Sequence, residues 1–275
     1  MTRLFDRKVI LQLDDQSYED YRIGFRVSRT VAGEPNTASI SIWGLSRETA
    51  ANILFRSRDT RVRILAGYAE QTPALLFEGN PTSDGLVFGR EGAERILRIE
   101  AQDGIRRYQS ARVNVAFEAG TTYRQVVQEV IRQMGLPTSV TTFDDPEFDL
   151  AIDSGICLTG AAPRILDRLA ETLNSDWSIQ DGKLQFLSRG RTRTTRGPLF
   201  SPELRNIIND PRPRDRGIEI TTFLTPMVPG DRFLVEGTLD PRWNGLYRAV
   251  TVTHTGDSGW ETSFYSTIEG RPLPV

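Results

Sequence analysis

Five carboxylates crowd one short segment: Asp144, Asp145, Glu147, Asp149 and Asp153 in Phe143–Asp153. Closely spaced carboxylates support two kinds of chemistry. They cage a hard cation such as calcium, or they divide acid and base roles in glycoside hydrolysis. The spacing departs from an EF-hand loop, with no central glycine and no glutamate at the twelfth place. Without that punctuation an acidic run reads first as a solvated loop. His254 is the single histidine, so a cluster of histidines around a metal is excluded. It is the one available imidazole base for a Ser-His-Asp arrangement, yet no G-x-S-x-G nucleophile motif occurs, and Ser154-Gly155 and Ser258-Gly259 are weak substitutes. Its phase with Val250 and Val252 places it on a strand, near a sheet edge. Cys157, the single cysteine, sits in Gly155-Ile156-Cys157-Leu158 and reads as a small core residue, not a nucleophile. Arg189, Arg191, Arg193 and Arg196 open an arginine- and proline-rich stretch that runs to Arg216. It reads as a solvated linker or a subunit contact. A track for nucleic acid phosphates would want interleaved aromatics, and Phe200 alone lies inside it. No P-loop or dinucleotide fingerprint is present, so no catalytic residue, cofactor or metal is assigned.

Composition narrows the classes further. The chain has 275 residues, enough for two or three domains, and a formal net charge of −2. Global electrostatics therefore give no pull toward nucleic acid or an anionic membrane. The basic residues are nearly all arginine, with lysine only at 8 and 183. One cysteine rules out an intrachain disulfide. No signal-peptide core is visible, and no apolar run approaches the roughly 20 residues that span a bilayer.

The elements that must position these residues fall into three segments. Residues 1–110 alternate apolar and polar residues in short runs: Val9, Leu11, Leu13; Ile23, Phe25, Val27; Ala38, Ile40, Ile42; Val62, Ile64. Period two means half-buried strands. Further strands are expected at 74–78, 85–88 and 95–101, with a short helix after Ser46 as N-cap. Strands, one helix, then strands suit a small barrel or sandwich with a helix over one open side. Residues 111–190 change to helical period. Tyr123, Val126, Val127, Val130, Ile131 and Met134 form one stripe, and Ile165, Leu166, Leu169 and Leu173 a second, after Pro163 at a helix start. A hairpin follows, with Asp181-Gly182 at its turn. Residues 191–275 begin with the linker-like stretch and end in an antiparallel β unit, Gly217–Ser266. Its turns are Pro229-Gly230-Asp231, Asn244-Gly245 and Gly256–Gly259, and Trp260, Thr262 and Phe264 alternate in its last run.

Three phrases in this order resemble the baseplate hub proteins of contractile-tailed bacteriophages, the phage protein D or late control protein D group, related to the hub part of VgrG. They are Pro35-Asn36-Thr37-Ala38-Ser39-Ile40-Ser41-Ile42-Trp43-Gly44-Leu45-Ser46; Asn174-Ser175-Asp176-Trp177 with Asp181-Gly182-Lys183-Leu184; and Leu224-Thr225-Pro226, Pro229-Gly230-Asp231 and Asn244-Gly245-Leu246-Tyr247-Arg248-Ala249-Val250. The resemblance implies an α+β, mainly β fold: two tube-type β-barrel domains with an α+β domain inserted between them. It implies a homotrimer forming a pseudo-sixfold ring without enzymatic activity. The implied partners are a tail tube protein or tube initiator, a separate central spike, baseplate wedge proteins and a tape-measure protein, with DNA passing transiently through the lumen. It places the protein in the virion tail and, during assembly, in the host cytoplasm. Two other classes stay open from the residues themselves: a cell-wall-degrading enzyme using the 144–153 carboxylates, and a barrel that binds single-stranded nucleic acid through 189–216.

Overall fold

The computed structural model describes residues 7–55, 60–68, 70–104, 108, 110–137, 146–259 and 263–274. The fold is α+β and mainly β. The alternating runs near the N-terminus become β1 (Arg7–Leu13), β2 (Gln16–Tyr18), β3 (Ile23–Thr30) and β4 (Thr37–Trp43). Their apolar phase is buried as its period requires: Leu11, Ile23, Val27, Ile40 and Ile42 are all at 0% exposure. Ser46 caps α1 (Arg47–Leu54) by accepting from the Thr49 main-chain N–H at 3.0 Å. β5 (Val62–Tyr68), β6 (Ala74–Glu91) and β7 (Glu94–Gln102) complete the first set of strands around one core.

β6 corrects one expectation. The runs at 74–78 and 85–88 are a single strand, broken in register between Pro81 and Leu86 by a bulge. Extra residues in one strand shift the alternation, which disguises continuity in the sequence.

The middle segment packs a second core. β8 (Arg112–Phe117) leads to α2 (Tyr123–Gln133), whose N-terminus carries a capping box: Thr122 accepts from the Gln125 N–H, and the Gln125 side chain accepts from the Thr122 N–H. β9 (Ile156–Ala161) pairs with β8 in a two-stranded sheet that the helix-and-hairpin expectation omitted. α3 (Ala162–Thr172) follows, then the hairpin β10 (Ser175–Gln180) and β11 (Lys183–Ser188). Asp181 and Gly182 turn it with φ of 52° and 76°, as an Asp-Gly hairpin turn requires.

The stretch read as a linker contains two strands, β12 (Leu199–Phe200) and β13 (Ile207–Arg214). β14 (Gly217–Phe223), β15 (Arg232–Val235), β16 (Gly245–Asp257) and β17 (Phe264–Pro272) enclose a third core around Phe200, Phe233 and Tyr247. The Asn244-Gly245 turn meets expectation at Gly245, whose φ is 151°, and departs from it at Asn244. Asn244 has an ordinary φ of −72° and closes a short 3-10 turn, Pro241–Trp243, that Asp240 caps. Its side chain accepts from Thr238 instead of supplying left-handed backbone. Trp260 and Thr262 lie outside the described residues.

All the strands of the first and last segments belong to one 13-stranded sheet. The join is β3 against β16, antiparallel over Gly24–Thr30 and Thr251–Asp257. Arg22 staples the end of that seam, its guanidinium on the Asp257 carboxylate at 3.0 Å and stacked 4.6 Å over the Trp43 ring. The strand order repeats across the seam. In the first set β3 pairs β4, β4 pairs β7, β7 pairs β6, and the beginning of β6 pairs β5. In the second, β13 pairs β14, β14 pairs β17, β17 pairs β16, and the beginning of β16 pairs β15.

Candidate functional site

Polar side chains concentrate where the middle segment meets the two strand sets. At the first joint Arg29 occupies an inward position of β3, in phase with Ile23, Phe25 and Val27, and is 1% exposed. A buried guanidinium is tolerated only when its donors are matched. Arg29 donates to Gln180 Oε1 at 3.1 Å, to the Leu76 carbonyl at 3.0 Å and to Asp181 Oδ2 at 2.7 Å. Asn36 donates to the Ile179 carbonyl and to Gln180 Oε1. Asp103 accepts from the Gly182 N–H at 3.1 Å. Burial, with the Asp181 carboxylate beside it, pushes the Asp103 acid up from 3.8 to about 7, against the pull of Arg29 and the main-chain N–H groups of Gly182 and Asp181. Gly33 lies so close to the Trp177 indole that a Cβ there would come within 2.5 Å of the ring. An open cleft of about 460 Å³ borders this joint, lined by Arg61, Glu78, Asp103, Asp181 and Lys183 among others.

At the second joint Asp176, on β10, takes Arg189 on one oxygen at 3.1 Å and Arg248, on β16, on the other at 3.0 Å. Arg248 is 3% exposed and also donates to the carbonyls of Ser188 and Arg189. Gln185 donates to the Pro229 carbonyl, and Arg193 pairs with Asp231 at 2.7 Å. Two of the four arginines singled out by sequence therefore have carboxylate partners. Arg189 is paired within the middle segment and Arg193 within the last one, so Arg248 and Gln185 are the side chains that tie the two together, while Arg196 is exposed beside Arg232 at a shallow cleft. Arg191 is exposed.

The carboxylate cluster divides. Asp144 and Asp145 lie outside the described residues, while Glu147 and Asp149 sit on a 3-10 turn, Pro146–Asp149, whose Phe148 is buried in the second core. Asp149 is held by Arg124 through two bonds, at 2.7 and 3.0 Å, and this pairing lowers its pKa. A general acid needs the opposite displacement. Asp153 is exposed. Among the described residues no three metal-ligating side chains are grouped as a cation would require.

His254 overturns the edge placement. β16 lies between β3 and β17, and His254 is fully buried, its pKa pulled down to about 3 by desolvation with Arg29 contributing. Its Nε2 faces the Met227 carbonyl at 3.3 Å; a carbonyl only accepts, so Nε2 carries the proton. Nδ1 then accepts from the Ser266 hydroxyl at 2.8 Å. This buried Ser-His contact pins the loop after β14, since Ser266 also accepts from the Thr225 N–H. Cys157 is likewise corrected: it lies on the outer face of β9 and is exposed, because the two-stranded sheet covers only one of its faces.

Sequence reading missed Arg29 and Asp103. The signal for Arg29 was present, as a charge in the buried phase of an apolar alternation. Asp103 gave none, since it follows the last strand of its set as an ordinary turn residue would.

No protein-family model matches the chain, and no curated protein matches it in sequence. Solved structures do share its fold. The 43 kDa tail protein of prophage MuSo2 from Shewanella oneidensis superposes with a TM-score of 0.68 at 9% identity, covering 97% of both chains. A tail protein from Neisseria meningitidis gives 0.67 at 10% identity, covering 97% of this chain and 96% of that one. A type VI secretion system component from E. coli, described as structurally similar to the T4 bacteriophage tail proteins gp27 and gp5, gives 0.62 at 12% identity, covering 96% and 77%.

Proposed function

We propose that the chain is a structural, non-enzymatic component of a phage tail, a baseplate hub protein that forms a homotrimeric ring between the tail tube and the central spike. The observation that carries this reading is the repeated strand order on one continuous sheet. Each strand set is read as a tube-type barrel, and three chains then present six similar units. Such a ring matches a sixfold tube on one face and a threefold spike on the other. The shared fold with phage tail proteins and a type VI secretion component supports the same setting. The polar joints suit a part that works by position, because they hold the middle segment against both strand sets. Tube or tube-initiator protein, spike, wedge and tape-measure proteins are the expected neighbours, with DNA passing through the lumen in the assembled virion. Arg196, exposed beside Arg232 at a shallow cleft, is the part of the arginine stretch offered to a contact with one of them.

The wall-degrading alternative loses support from Asp149, whose carboxylate is held ionised by Arg124. The test is native mass spectrometry with low-resolution imaging of the purified chain. A trimer appearing as a six-lobed ring is expected; a strict monomer at high concentration overturns the reading.

A further inference from the structure

The repeat described above extends to residue level. Ile99 of β7 faces Ile40 on one side and Leu86 on the other; Ile268 of β17 faces Ile220 and Val252. Val27 faces Ala38, and Pro213 faces Ile218. Leu86 thus corresponds to Val252 and Val27 to Pro213. Both long strands also break register where they leave their short partner: β6 between Pro81 and Leu86, β16 between Ala249 and Thr251.

Beyond its bulge, β16 is paired on the far side by β3. Beyond its own bulge, β6 pairs with β7 alone among the described residues. There Val87 is 53% exposed, and a Cβ built on Gly89 meets no atom within 4 Å. β13, the counterpart of β3, pairs among the described residues with β14 alone and carries Ile208 at 44% exposure. The chain therefore holds one filled copy of an interface and both halves of an unfilled one. Bare edges of this kind recruit strands unless something occupies them.

We propose that β13 of one copy pairs antiparallel with Leu86–Glu91 of β6 in the next copy, in the register of the β3–β16 seam. This rests on the ring reading above and names the surface that makes the ring. His254 faces Val27 in the internal seam, so Phe88 faces Pro213 in the external one. Val87 then stands opposite Arg214, and Gly89 opposite Arg212. Pro211 and Pro213 have no N–H to donate, so the external seam has fewer main-chain bonds to draw on than the internal one, and indiscriminate strand addition is disfavoured. The two surfaces differ, so the contact is heterologous. Copies follow one another in one direction until rotation closes them.

The experiment is disulfide trapping in a Cys157→Ser background, which removes the exposed native thiol. Directly opposed residues place Cβ atoms about 4.5–5.5 Å apart, within reach of a disulfide or a short bis-thiol linker. Val87→Cys with Arg214→Cys in one chain is expected to give, on oxidation, a covalent ladder ending at three chains. Each single variant is expected to stay uncrosslinked, and a mixture of the two singles to stop at dimers. As a second readout, Val87→Lys sets a cation against Arg214 and is expected to weaken trimerisation at least tenfold with the melting of the chain unchanged. A native trimer that yields no covalent product from the double variant overturns this seam and leaves the ring standing. Crosslinking of Val87→Cys alone overturns it in favour of a twofold contact. A monomer at every concentration overturns seam and ring together.

Discussion

Asp103→Asn isolates the cost of keeping a carboxyl group at the first joint. The Asp103 acid rises from 3.8 in an open chain to about 7 in the folded protein. A group whose folded-state value is raised contributes its stability at low pH and loses it as pH rises through the folded value. Below about pH 4 both states hold the proton, so the contribution is fully present and does not change with pH. Between about pH 4 and 7 the unfolded chain releases it while the folded chain keeps it, so stability falls by about 1.4 kcal/mol per pH unit. The whole excursion is about 4 kcal/mol, and Asp103 is only 2% exposed, so solvent screens little of it. Asparagine cannot ionise and keeps an oxygen for the Gly182 N–H. The difference in unfolding free energy between variant and wild type is therefore expected to move by about 4 kcal/mol in the variant's favour from pH 4 to pH 8. Titrating groups that do not interact with Asp103 cancel in that difference. Urea titrations of both proteins at half-unit pH intervals measure it. A difference that stays constant across the range refutes the assignment of a buried, protonated Asp103.

Three further outcomes are expected. Arg29→Met leaves Gln180 and the half-buried Asp181 without that donor and should cost about 3 kcal/mol in urea unfolding, the low end of the range for breaking one half of a buried pair, because water reaches Asp181. His254 titrates in the opposite sense to Asp103: its value is depressed to about 3, so its contribution is complete above about pH 6.5 and fades as pH falls toward 3. Stability should drop by about 2 kcal/mol from pH 6.5 to 5 through this group, and His254→Gln should flatten that slope, read by denaturant midpoints across the interval. Asp149→Ala removes one exposed ion pair and should leave both the melting curve and any solubilisation of peptidoglycan unchanged from wild type; turnover by the wild type that the variant lacks reopens the enzymatic class.

Where a strand is half buried, its period is written in the chain, and β1, β3, β4 and β14 were legible for that reason. The stripes of α2 and α3 and the Asp181-Gly182 turn were legible from equally local causes. β13 was not, because Pro211 and Pro213 read as breakers; prolines are admitted on an edge strand, and whether a strand is an edge is a tertiary property. β8 and β9 were hidden by the long separation of the paired segments, with α2 between them. β6 was divided by its own bulge. The joints were the least legible part. Arg29 could be flagged as a charge in a buried phase, but its partners Gln180 and Asp181 lie 151 and 152 residues away, and nothing local announces them.

The β3–β16 seam gives the two strand sets a mechanical relation that a flexible tether would lack. Seven residue pairs, Gly24–Thr30 against Thr251–Asp257, lie side by side across it. A pull along those strands loads the pairs in shear, all at once, while a pull across them would open them singly from one end. Force entering one half of the molecule along that direction therefore reaches the other half without slack, and the Arg22–Asp257 staple closes the end from which peeling would start.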